Sequence, residues 1–164
     1  MRRVYGTAER NIGEIMFLRA ANKSIDDAVH AINQITNNMM FDSLREDLFQ
    51  NIVSAVHFIA DYEERIRSKL NPDDAEMLKA FLYVNNQLKH DVSLELFYYD
   101  VSGSMFPMRF PFRFGKPGVY WREFIDNGNH RARGKREHYE KHLMNKDIEA
   151  TLLHVREILN KYST

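Results

Sequence analysis

Residues 41–70 carry the pattern that most limits what this chain can become. In FDSLREDLFQNIVSAVHFIADYEERIRSKL, apolar side chains fall at Leu44, Leu48, Ile52, Val56, Ile59, Tyr62, Ile66 and Leu70, always three or four residues apart. That spacing follows the turn of an α-helix, so the segment predicts one long amphipathic helix with a single stripe facing a core. Ser43 and Glu46 stand at capping-box spacing at its start.

Upstream, Ile25, Ala28, Val29, Ile32 and Ile35 form a second stripe, which extends back through Ile12, Ile15 and Met16 and stops at Asn37-Asn38. A turn there suits antiparallel helices. Downstream, NPDDAEMLKAFLYVNNQLKH opens a third helix. Asn71 caps it, Pro72 takes the first helical position, and Asp73, Asp74 and Glu76 complement the positive end of the dipole. Ile148, Leu152, Val155, Leu159 and Tyr162 mark a fourth helix, whose period reaches back to Tyr139 and Leu143.

Between the third and fourth helices the period changes. Leu94, Leu96 and Tyr98 alternate, Ser102-Gly103 offers a turn, and Met108, Phe110, Phe112 and Phe114 alternate again, which predicts a small hairpin or extended arm. Pro107 and Pro111 lack backbone donors, so the second strand is expected to be an edge or not a regular strand at all. GKPGVYWREF reads as loop. The span 97–124 holds ten of the chain's twenty aromatic residues, dense enough for a satellite core over the helices; a base-stacking platform is the alternative. The expected fold is all-α: one domain over residues 1–164, a four-helix bundle with a small β-like aromatic insertion at about 92–130.

Composition narrows the chemistry. The chain has no cysteine, which excludes a disulfide framework and thiolate zinc sites. Its 23 basic and 23 acidic residues balance, yet residues 105–146 hold ten Lys and Arg against four Asp and Glu. Gathered on one surface, that excess would attract phosphates or an acidic partner; dispersed, it neutralises the acidic helices of its own chain. No apolar run approaches bilayer length and MRRVYGTAERNIGE lacks the apolar centre of a secretory signal, so no membrane association and a cytoplasmic location are expected. The sequence contains no phosphate-cradling Gly-rich loop, nucleophilic serine elbow or dinucleotide fingerprint, and no cofactor is expected. His138 and His142 are four apart and share a helix face, as metal ligands do, but the chain names no third ligand and no metal is expected.

Two polar clusters remain. The first is YVNNQLKHD at the end of the third helix, where the dipole favours a cationic His90 that can serve as general acid or base, with Asn85, Asn86 and Lys89 beside it. The structural alternative is that these residues bond the last helical carbonyls. The second is HRARGKREHYEKH, where Arg131, Arg133, Lys135 and Arg136 are spaced to contact successive phosphates, or else form a solvated charged loop.

A helical chain whose third helix ends in NNQLKHD, followed by FPMRFPFRFG, a Trp and a closing helix, resembles the HEPN superfamily of small four-helix domains over roughly residues 24–162. That resemblance implies a bundle that often dimerises and, in many members, a metal-independent endoribonuclease of toxin and antiviral-defence systems. The family motif is an Arg, a polar residue, a few more residues and a His. His90 matches the histidine and Asn85 or Asn86 the polar position, while the arginine has no counterpart: Asn85, Val84 and Tyr83 stand where it would fall. Lys89 or the basic arm is then the substitute cation. Arg133 and His138 match the spacing by count alone, ahead of the fourth helix.

The resemblance therefore implies a homodimeric RNA- or nucleotide-binding protein. Its catalytic set would be His90, Asn85, Asn86 and Lys89, and Arg131, Arg133, Lys135 and Arg136 would hold phosphates. The alternative is a non-catalytic protein-interaction module of a defence, anti-defence or toxin–antitoxin setting, docking a protein partner through its aromatic segment.

Overall fold

The computed structural model describes residues 3–38, 40–90, 94–100, 117–124 and 133–163, with side chains throughout these except at 3–11 and 133–135. The chain is mostly helical. In order it forms α1 (Arg3–Asn38), α2 (Arg45–Ile66), a short 3-10 turn (Arg67–Lys69), α3 (Pro72–His90), β1 (Phe97–Asp100), β2 (Gly118–Trp121), α4 (Arg133–His142) and α5 (Ile148–Lys161).

The predicted stripes become the core, except that Ile12, Ile15 and Met16, expected to extend the α1 stripe, stand exposed. Ile25, Ala28, Ile32 and Ile35 of α1 and Leu48, Ile52, Val56, Ile59, Tyr62 and Ile66 of α2 are all buried, in one cluster with Leu78, Phe81 and Val84 of α3 and Leu152, Val155 and Leu159 of α5. Pairs between helices give their directions. Ser24 meets Ser54 and Glu14 meets Lys69, so α1 and α2 run antiparallel. Asp26 meets Arg156 and Asn33 meets Glu149, so α5 is antiparallel to α1 as well.

Helix ends follow local chemistry, once against expectation. Asn71 caps α3 as predicted, its Oδ1 accepting from the Asp74 backbone N–H at 2.8 Å. Ser43 makes no capping box: Leu44 occupies the cap position without a side-chain bond, and the Ser43 hydroxyl turns back to the Met40 carbonyl at 3.4 Å. Glu46 and Asp47 in the first turn still complement the dipole of α2. At the far end of the fold, Lys161 and the Tyr162 hydroxyl donate to the Asp74 carboxylate at 2.8 and 2.7 Å, pinning the end of α5 to the start of α3.

Two expectations about the second half are corrected. The closing helix is two helices, because the chain breaks between His142 and Ile148. Asn145 takes a left-handed conformation at φ 59°, which Asn tolerates better than most residues, and Asp147 caps α5 by accepting from Ala150 N–H at 2.8 Å. The segment GVYW, read as loop, is strand β2. It pairs antiparallel with β1 in the register Phe97↔Trp121, Tyr98↔Tyr120, Tyr99↔Val119 and Asp100↔Gly118. On its other edge β2 bonds the 145–147 turn, through Trp121 N–H to Lys146 O at 3.1 Å and Asn145 N–H to Trp121 O at 3.0 Å. The anticipated Ser102-Gly103 turn and the Met108–Phe114 alternation lie outside the described residues.

Phe97, Trp121 and Phe124 join the main core instead of forming a satellite, while Tyr98 and Tyr120, half-buried, stack on each other. Trp121 is fully buried, edge-on to Phe81 of α3 at 5.8 Å, and its indole N–H donates to Thr151 Oγ1 of α5 at 2.9 Å. A buried indole N–H needs such an acceptor. Tyr139 of α4 stacks on Phe124 at 4.5 Å, tilts against Tyr83 at 5.5 Å, and donates its hydroxyl to the Arg122 carbonyl. Burial, foremost, raises the Tyr139 phenol far above its ordinary range, with Tyr83 and Glu123 adding to it.

Candidate functional site

The carboxyl half of α3 divides its polar residues between inside and outside. Asn85 is buried at 5% exposure, and a buried amide must find a partner. Its Oδ1 meets Nδ1 of His57, half-buried on α2. The amide oxygen only accepts, so His57 donates from Nδ1, and in the neutral ring Nε2 keeps its lone pair. His57 escaped the sequence reading because it sits between Val56 and Phe58 within an apolar helix. A signal existed nonetheless: His57 and Asn85 each lie fourteen residues from Asn71, and positions equidistant from a tight turn face each other in an antiparallel helix pair.

The other predicted catalytic residues stand outward. Asn86 is half-buried, Lys89 and His90 are exposed, and among the described residues none of the three makes a side-chain hydrogen bond or ion pair. Helical spacing puts Asn86 and His90 on one face and Asn85 and Lys89 on the neighbouring one. Among the described residues Lys89 and His90 are thus uncommitted, whereas Asn85 is bonded to His57.

The basic cluster is a helix rather than a loop from Arg133 onward. Arg131 lies outside the described residues, and Arg133 and Lys135 are placed by backbone only, in the first turn of α4. Arg136 is half-buried, with Nε bonded to Glu140 Oε1 at 2.7 Å. One of the four predicted phosphate ligands is therefore engaged within its own helix.

Near the amino end of α3 a different group converges. One donor atom from each of Glu76 of α3 and His138 and His142 of α4 lies within 4.8 Å of the other two. Lys141 Nζ donates to Glu76 Oε2 at 2.6 Å, and His142 Nε2 lies 3.4 Å from the same oxygen. Hydrogen bonds from Lys141 and His142, with the charge of Lys141, hold the Glu76 carboxyl below its usual value. Burial lowers His142, the positive charges of Lys141 and Lys146 reinforce this, and the hydrogen bond and charge of Glu76 oppose it. Sequence alone placed the two histidines on one face but gave no sign of Glu76, which α3 and α4 packing supplies.

A surface cleft of about 380 Å³ lies between the start of α2 and residues 94–97. Asp42, Glu46 and Glu95 line it against the single cation Arg45, over Phe49, Leu94 and Phe97, an acidic lining that repels phosphate.

No protein-family model, curated protein or solved structure matches this chain. Among the described residues, no helix is long and apolar enough to cross a membrane.

Proposed function

We propose that this chain is a HEPN-like helical domain that binds RNA or a nucleotide at the carboxyl end of α3. The single observation that supports this reading is the split just described: Lys89 and His90 are exposed without partners among the described residues, beside an amide–imidazole pair, Asn85 and His57, that stiffens the wall between α2 and α3. Lys89 supplies the point charge for a phosphate and Asn86 a neutral hydrogen-bonding group. In the catalytic form His90 takes the proton of the attacking ribose 2′-hydroxyl as its oxygen bonds phosphorus. The bond from phosphorus to the 5′-oxygen breaks and that oxygen leaves with a proton from water, and Lys89 takes over the charge stabilisation that an arginine gives in the family motif. No metal enters that chemistry.

The test is binding and cleavage of total cellular RNA by purified protein in excess chelator, comparing the parent with His90→Ala and Lys89→Ala. Both variants are expected to keep the fold, since both side chains are exposed, and to lose cleavage or at least weaken binding. A parent that neither binds nor cuts RNA at low salt contradicts the proposal.

A different observation bears on the homodimer shared by this reading and its rival, a non-catalytic interaction module of a defence, anti-defence or toxin–antitoxin setting. Ile12, Ile15 and Met16 lie on one face of α1 at 60%, 42% and 64% exposure. Covered by a second copy of the chain, that face gives the dimer common to both readings. Light scattering on the parent and on an Ile12→Glu, Met16→Glu variant should find a dimer and a monomer respectively; a monomeric parent removes this reading of the face.

A further inference from the structure

We propose that Glu76, His138 and His142 form a binding site for one divalent transition metal of the zinc class, bridging α3 and α4. Two imidazoles and a carboxylate are borderline ligands that suit Zn²⁺ and its neighbours, and are poorly matched to Mg²⁺ or Ca²⁺, which take oxygen. His138 and His142 stand one turn apart on a helix face, the spacing that lets two imidazoles reach a common ion. Glu76 arrives from another helix, so the three donors surround a point instead of lying in a row.

The distances fit a site ready to close. An ion with bonds of about 2 Å holds tetrahedral donors about 3.3 Å apart. The Glu76 and His142 atoms are already at 3.4 Å, and the whole trio lies within 4.8 Å. All three side chains are half-buried. Three protein ligands leave a further position for water.

Lys141 marks where the cation belongs. Its ammonium sits on Glu76 Oε2 at 2.6 Å while its side chain is 63% exposed, so an incoming metal can displace it into solvent. The site is separate from the proposed RNA surface. Nine residues divide Glu76 from Asn85 along α3, a rise of about 14 Å. The inference therefore does not rest on the RNA reading.

The experiment is calorimetric titration of untagged, metal-stripped, full-length protein with Zn²⁺, and with Mg²⁺ as the contrast. The parent should bind one equivalent of Zn²⁺ and no Mg²⁺ in the same range. Glu76→Gln, His138→Gln and His142→Gln should each weaken Zn²⁺ binding at least tenfold. His154→Gln, on the exposed face of α5, should leave it unchanged, and Lys141→Met should tighten it. If a ligand variant fails to fold, Co²⁺ added to the parent decides: the intense visible bands of a four-coordinate ion support the site, and the weak spectrum of hydrated cobalt overturns it. Absence of one-equivalent Zn²⁺ binding, or binding retained in the double His138→Gln, His142→Gln variant, also overturns it.

Discussion

At its carboxyl end α3 turns Asn85 inward to His57 and leaves Lys89 and His90 in solvent, whereas near its amino end a carboxylate from α3 meets two imidazoles from α4. The first end is rich in polar residues along the sequence, yet they diverge in space. At the second, the donors come from two segments more than sixty residues apart in the sequence, yet they converge. Convergence is set by which helix packs on which, and α4 is held against α3 by a three-ring cluster of Tyr139, Phe124 and Tyr83.

The largest expected effect breaks the frame behind that difference. Trp121→Ala removes a fully buried ring that touches Phe81 and bonds Thr151, and should destabilise the protein by about 3–5 kcal/mol. Urea denaturation followed by circular dichroism measures it. A loss near zero would mean that the β1–β2 pair merely decorates the helices.

A smaller effect sharpens the account of the carboxyl end. Asn85→Ala leaves the His57 ring without its partner and should cost about 1–3 kcal/mol. A double-mutant cycle with His57→Ala should show a coupling of at least about 0.5 kcal/mol, since residues in one hydrogen-bonded pair are not additive. Additive losses would mean that the two side chains do not act as a pair.

The smallest effect concerns acid. Burial opposes the Asp74 carboxylate, but hydrogen bonds from Lys161, Tyr162 and Asn71 and the charge of Lys161 outweigh it and leave the group below its ordinary 3.8. A carboxyl lowered on folding adds stability that is fully present above its unfolded value and is lost as pH falls through the folded one. Asp74→Asn should therefore lower the melting temperature at pH 7 and bring variant and parent together below about pH 3. A gap that persists undiminished in acid would assign the loss to packing.

How legible these features were depends on how local their causes are. The stripes of α1, α2 and α3 could be read because one helix face needs only its own spacing, and the Asn71 cap because its partner is three residues away. Strand β2 could not: Val119-Tyr120-Trp121 offers too short an alternation, and its partner β1 lies across a long insertion. The break before α5 was signalled by Asn145 and Asp147, but the apolar period running through Leu143 and Ile148 masked it. Asn85 was singled out correctly as unusual, while its commitment to His57 became visible only once α2 and α3 were folded against each other. Glu76 was marked only as a complement to the helix dipole, since its imidazole neighbours come from a helix that follows the aromatic insertion.

The most direct measurement is a salt titration of RNA affinity for three proteins: the parent, the Lys89→Ala, His90→Ala double variant, and Glu76→Gln. The account predicts that the double variant binds more weakly, with a slope of log affinity against log salt shallower by about one for the lost phosphate contact, and that Glu76→Gln matches the parent. Equal affinity and slope in the parent and the double variant would contradict the assignment of RNA binding to the carboxyl end of α3.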